Sequence, residues 1–181
     1  MNTVSLFVSE KFKLLQQYLK STSFSKAALI GIAITVPIIV GIVMDKLDIG
    51  LAICFGAFWC SPSDVSGNLK HKQIGIAFST LLIVFVSFIG GHLEVSNYIL
   101  FPVLGVLTFS IAFISIYGFR ASMISFSGLL ALVLSFSYNP ETLDAYQSAL
   151  WIGTGGLWYL ILSTSWFYLN PKAFTEETLH N

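Results

Sequence analysis

The groups able to do chemistry in this 181-residue chain are few, and they crowd into one stretch. Residues 61–73 read SPSDVSGNLKHKQ and bring Asp64, Lys70, His71 and Lys72 close together in sequence. Lys70, His71 and Lys72 form a basic cluster that would attract anionic lipid headgroups or an anionic solute. The same cluster would also serve simply to orient a membrane chain by its positive charge. Asp64 can cap a helix or pair with Lys70, Lys72 or Arg120. Arg120 is the only arginine. Its guanidinium is always charged and offers a rigid fork of donors suited to a carboxylate. Three roles are open to it: holding an anionic solute at an inner mouth, binding Asp64 and so pinning two connections together, or serving as a plain topological charge.

Little else in the chain supports chemistry. His71, His92 and His180 lie far apart, and none has a metal-ligand partner three or four residues away. His92 and Glu94 could share an ion or form a solvated loop pair. Cys54 and Cys60 cannot make a disulfide framework by themselves and read as apolar packing residues. The run Gly153-Thr154-Gly155-Gly156 completes no dinucleotide fingerprint, and no phosphate loop occurs. No nucleophile, base and orienting group can be assembled. The sequence therefore points to no enzyme, no metal or other cofactor, and no nucleic-acid partner.

Six windows free of Asp, Glu, Lys and Arg surround these residues: 27–44, 49–63, 73–93, 95–119, 121–140 and 145–171. A spanning helix needs about 20 mostly apolar residues. Charged residues make up 10% of the chain, against about 25% in soluble domains, and the mean hydropathy is +0.81. The reading is an all-α integral membrane protein: a six-transmembrane-helix bundle over 25–171, preceded by an amphipathic interfacial helix within 1–24 and followed by a cytoplasmic segment at 172–181. Lys11, Lys13, Lys20, Lys26, Lys70, Lys72, Arg120 and Lys172 fall on one side of that bundle, and only Lys46 falls on the other. Cytoplasmic loops carry the excess of Lys and Arg, so both termini are expected to be cytoplasmic.

Several elements have expected details. Residues 4–20 repeat Val8, Phe12, Leu15 and Leu19 at helical spacing, with polar residues between them. STSFS at 21–25 supplies hydroxyls able to cap the first span. Pro37 predicts a kink there. The second span meets Ser61–Pro62 after 13 residues, and so continues past Pro62, thins the bilayer, or ends in a cavity. Short, proline-interrupted spans are a pointer to transport sites. The third span is expected at 74–91, leaving 61–73 as an inner loop; the fourth at 98–117; the fifth from Ala121, after a tight turn at 118–120; and the sixth at 146–169. Gly153, Gly155 and Gly156 would let that last helix approach another closely. Its Trp and Tyr residues, Tyr159 among them, would line the helix, with an aromatic belt at the ends. No Asp, Glu or His is expected inside a span, which weakens a proton-relay mechanism.

The run GLAICFGAFWCSPSDVSGNLKHKQIG resembles the first membrane block of the FUSC (fusaric-acid-resistance-like) inner-membrane proteins, with their short second helix and S-P-S-D-x-x-x-N-x-K-H-type loop. ISIYGFRASMISFSGLLALVLSF resembles the Y-G-x-R-A-x-x-x-S-F-S-G-L-L segment of the same block. The resemblance covers residues 25–172. It implies a bacterial cell inner membrane location, a distant relationship to aromatic-acid exporters, and assembly as a homo-oligomer, a dimer. Members of that family are usually longer, so the chain is expected to be an N-terminal membrane half or a minimal version of one.

Two functions follow from these readings. One is a transport module for efflux of small organic, possibly aromatic, anions. The other is a structural or oligomerisation domain of a larger protein, with no transport activity on its own. The topology has a direct test. With Cys54 and Cys60 replaced, a cysteine at position 94 or 142 should react with an impermeant thiol reagent in intact cells, whereas labelling at position 70 instead would overturn the six-span arrangement.

Overall fold

The computed structural model describes residues 22–65, 69–92, 97–135 and 143–169, and every regular element among them is helical. The helices are α1 (Thr22–Val43), α2 (Leu47–Cys60), α3 (Leu69–His92), α4 (Asn97–Phe113), α5 (Phe119–Ser135) and α6 (Ala145–Leu169). Short 3₁₀ turns, Ser61–Ser63 and Ile114–Tyr117, extend α2 and α4. The expected amphipathic helix and the segment 172–181 lie outside the described residues, as do Glu94, Glu141 and His180.

Three segments are long and apolar enough to cross a membrane: Phe24–Val43, Leu69–Gly90 and Leu100–Tyr117. Leu47–Ser63 and Phe119–Ser135 are shorter apolar helices. α6 has the length at 25 residues, but its tryptophans, tyrosines, glycines and hydroxyls dilute its hydropathy. The surface is the reverse of a soluble protein's. Ile39, Leu81, Phe101, Phe109 and Val133 are all more than half exposed, while Ser79, Ser127 and Ser163 are buried. Only hydrocarbon solvates such an exterior, and helices satisfy their own backbone groups within it.

Side-chain contacts fix the helix directions. Trp166 Nε1 of α6 donates to Ser25 Oγ of α1, and Gln73 Nε2 of α3 donates to Thr164 Oγ1 of α6 at 3.3 Å. The start of α1 and of α3 therefore meet the end of α6. Ser125 Oγ of α5 donates to the Ile111 carbonyl of α4 at 2.7 Å, and Ser135 Oγ near the end of α5 meets Ser87 Oγ late in α3 at 3.3 Å. α1, α3 and α5 thus run one way, and α2, α4 and α6 the other. This alternation gathers Lys26, Lys70, Lys72 and Arg120 at one end of the bundle and leaves Lys46 at the opposite end.

Small residues set the spacing. α1 turns into α2 through Asp45, whose positive φ of 54° lets the Lys46 N–H reach back to the Gly41 carbonyl at 2.8 Å. A Cβ at Gly41 would lie 2.9 Å from the Gly50 Cα, so the two helices of this hairpin touch through their backbones. Pro37 sits inside a continuous α1, and its carbonyl occupies the space a Gly50 Cβ would need. α2 and α6 run parallel and meet reciprocally: a Cβ at Gly56 would strike the Ile152 carbonyl, and one at Gly155 the Ile53 carbonyl. Gly153 faces α3, where a Cβ would meet Val84 Cγ2 at 2.8 Å. Gly156 lies between α3 and α2, where a Cβ would meet Thr80 Oγ1 at 2.6 Å and Cys60 Sγ at 2.9 Å. α6 is accordingly the central helix, held between α2 and α3, with α1 outside α2 and α5 outside α3. α4 packs on α5 and touches little else.

Gly155→Leu should force α2 and α6 apart and cost about 3 kcal/mol, the upper end for overpacking. It should lower the unfolding midpoint in detergent. Gly105→Leu, at a position with nothing within 4 Å, should change it little. Equal effects of the two substitutions would contradict this packing.

Candidate functional site

α2 ends where the polar residues gather. Its 14 residues and the following 3₁₀ turn of three span about 27 Å at ~1.5 and ~2.0 Å per residue, close to the ~30 Å apolar thickness of a bilayer. The helix therefore does continue past Pro62, for one tighter turn. Ser63 Oγ donates to the Cys60 carbonyl at 2.7 Å and closes that turn. Asp64 follows in a non-helical conformation, with φ −76° and ψ 70°.

The Asp64 carboxylate is buried and held from two helices. Lys72 Nζ of α3 lies 2.9 Å from Oδ1. From α6, Ser163 Oγ donates to Oδ2 at 2.8 Å and the Tyr159 hydroxyl donates to the same oxygen at 3.1 Å. Relative exposures are 8% for Asp64, 5% for Lys72, and 1% for both Tyr159 and Ser163. A carboxylate taken out of water needs an opposite charge and hydrogen-bond donors. Here the Lys72 ammonium faces Oδ1, and both hydroxyl donors fall on Oδ2. Oδ1 therefore has the charge beside it but accepts no hydrogen bond among the described residues.

The residues singled out from sequence are distributed unevenly around this centre. α3 begins at Leu69 rather than near residue 74, so Lys70, His71 and Lys72 belong to a first helical turn and not to a loop. That turn points Lys70 and His71 outward and Lys72 inward. Of the partners open to Asp64, the structure selects Lys72. Arg120 forms no ion pair with it. α5 begins at Phe119, so Arg120 also stands in a first helical turn, and Gly118, at φ 107°, alone makes the sharp turn. The Arg120 guanidinium lies along Gly75, one turn beyond Lys72, with Nη1 4.0 Å from where a Gly75 Cβ would sit. Nη1 is buried and has no hydrogen-bond partner among the described residues. The Ser63 carbonyl lies 3.6 Å from the same Cβ position, so Arg120 borders the Asp64 centre without closing on it.

Two further findings correct the sequence reading. The spans are expected to hold no ionisable group, with 61–73 as an inner loop, yet Lys72 lies buried within the candidate span Leu69–Gly90 and Asp64 is buried beside it. The cause is the early start of α3, which turns Lys72 onto its inner face. Tyr159, assigned to an aromatic lining, is a hydrogen-bond donor at the centre, and Ser163 was not singled out at all. Their signal was present: Ile152, Gly156, Tyr159 and Ser163 recur at steps of four, three and four on one helical face. Just beside the centre, Cys60 Sγ meets Thr80 Oγ1 at 3.4 Å, and both cysteines are free and buried.

No curated protein and no solved structure matches the chain. Residues 66–181 match the family described as FUSC-like inner membrane protein yccS. The match takes in α3 to α6, with Lys72, Arg120, Tyr159 and Ser163, and begins just after Asp64. It covers well over half of the chain, and the apolar exterior of the bundle is that of a membrane protein. This chain belongs to the FUSC-like inner-membrane family.

Proposed function

We propose that this protein is a transport module of the bacterial inner membrane that exports small organic, including aromatic, anions. The observation that carries the reading is a surplus, among the described residues, of basic side chains over carboxylates at one end of the bundle. Lys72 is buried there, Arg120 is half-buried with its Nη1 turned inward, and Lys70 and His71 are exposed beside them. Asp64 balances one of the two inward cations, and Arg120 Nη1 is left without a hydrogen-bond partner among the described residues. Such a cluster in a low-dielectric surrounding favours a carboxylate. Membership in the family supports transport as the general activity.

The same reading has six spans over 25–171, an interfacial helix within 1–24, a cytoplasmic segment at 172–181 and both termini inside. The alternating helix directions support it, as does the collection of described cations at one end, which the positive-inside rule makes cytoplasmic. A second reading, an oligomerisation module working as a dimer within a larger protein, is favoured by α4. Only 6% of its most apolar stretch is buried, and Gly105 stands open beside the exposed Phe101, Val106 and Phe109. Small residues of this kind let helices of two copies approach in lipid.

The test uses the full chain in proteoliposomes loaded with labelled phthalate, whose two carboxylates keep it from leaking through lipid. Export should exceed that of protein-free vesicles by about tenfold, the scale of a ~1.4 kcal/mol difference, and Arg120→Gln should reduce it. Phthalate retained by a sample that is dimeric in detergent would favour the second reading and contradict the first.

A further inference from the structure

We infer that Lys72, Tyr159 and Ser163 form a carboxylate-binding site for a small organic anion, and that the chain's own Asp64 fills it in this structure. The inference rests on the transport reading and names the site at which the solute would bind.

The donors and the acceptor stand on different kinds of structure. Lys72 projects from α3, and Tyr159 and Ser163 project from one face of α6. These two helices pack closely through Gly153 and Gly156, so the three donors are held rigidly relative to one another. Asp64 belongs to neither helix. It sits on the connection that leaves α2 after the 3₁₀ turn, in a non-helical conformation. Three donors on a fixed frame surround a carboxylate carried by a connecting stretch. An ammonium and two hydroxyls converging on two oxygens is the donor set that a free carboxylate requires.

The charges favour exchange over simple addition. A second anion added beside Asp64 would meet its negative charge. Displacement of Asp64 by the solute replaces one carboxylate with another, so the buried Lys72 ammonium is never left uncompensated. Arg120, with its buried Nη1 unpartnered among the described residues, borders the same region and offers the displaced Asp64 a second cation. The internal carboxylate thus competes with the solute. It lowers the solute's apparent affinity in proportion to the time it spends in the site, and it keeps the Lys72 ammonium paired between transport cycles.

The test uses the purified full chain in detergent, with small carboxylates as probes. Asp64→Ala should lower the unfolding midpoint by about 10 °C, as expected for a buried charge left unpaired. Acetate or benzoate should restore at least half of that loss saturably, and chloride at equal ionic strength should not. The restoration should vanish in Asp64→Ala/Lys72→Met, where the ammonium is gone. Asp64→Asn, which keeps the side chain's size, should bind benzoate about tenfold more tightly than the unaltered chain, because the competing charge is removed. Equal rescue by chloride, or no rescue by carboxylates, would overturn the inference. If Asp64→Ala cannot be recovered folded, Asp64→Asn decides alone: unchanged or weaker benzoate binding overturns it. Carboxylate rescue in a chain that fails to export phthalate would leave this site standing and remove only the transport reading; export without rescue would do the reverse.

Discussion

The end of α2 depends on one buried carboxylate. Asp64 stands where a short helix runs out, and its two oxygens gather an ammonium from α3 and two hydroxyls from α6. Each partner comes from a helix that the end of α2 must meet for the bundle to close. An unpaired charge at this depth would be strongly unfavourable, so Lys72 and Asp64 each make the other tolerable. The pair specifies the arrangement more than it stabilises it: apolar residues of similar volume could fill the same space at similar stability. While Asp64 occupies its place, the pair holds the end of α2 against α3 and α6.

The glycines make this meeting possible. Tyr159 and Ser163 reach Asp64 because α6 lies against α2 at backbone distance, through Gly155 and Gly56. The next residue, Gly156, brings α6 against Thr80 of α3, the helix that carries Lys72. In lipid no hydrophobic effect draws helices together, so close backbone approach and interhelical hydrogen bonds must do so. The two devices are arranged in series along α6: glycines through its middle, hydrogen-bonding side chains toward its end. Both act on α2 and α3, the pair that α6 separates.

The helices were legible in the sequence because an apolar helix of this length is set by composition over a whole window and not by single residues. Uncharged windows located all six helices, and the sorting of cations anticipated the one end at which the structure gathers Lys26, Lys70, Lys72 and Arg120. The close contacts of Gly153, Gly155 and Gly156 followed from residue size alone. The centre was harder to read because burial of a charge depends on where a helix begins. Starting α3 a turn earlier converts Lys72 from a loop residue into an inward one. The choice among Lys70, Lys72 and Arg120 as the partner of Asp64 is then a matter of helical phase, which a loop reading does not contain. Tyr159 was hidden among the aromatics of α6, whose numbers suggested a lining, and only its register with Gly156 and Ser163 separates it from them.

The central claim is that Asp64 and Lys72 act as one unit, and a double-mutant cycle measures that directly. Asp64→Asn, Lys72→Met and the double variant would be unfolded in a mild detergent and their stabilities compared. Each single substitution should cost about 3 kcal/mol or more, because it strands the other charge. The double variant should cost less than the two together by at least about 2 kcal/mol. Additive losses would mean that the two side chains are independent and would contradict the account.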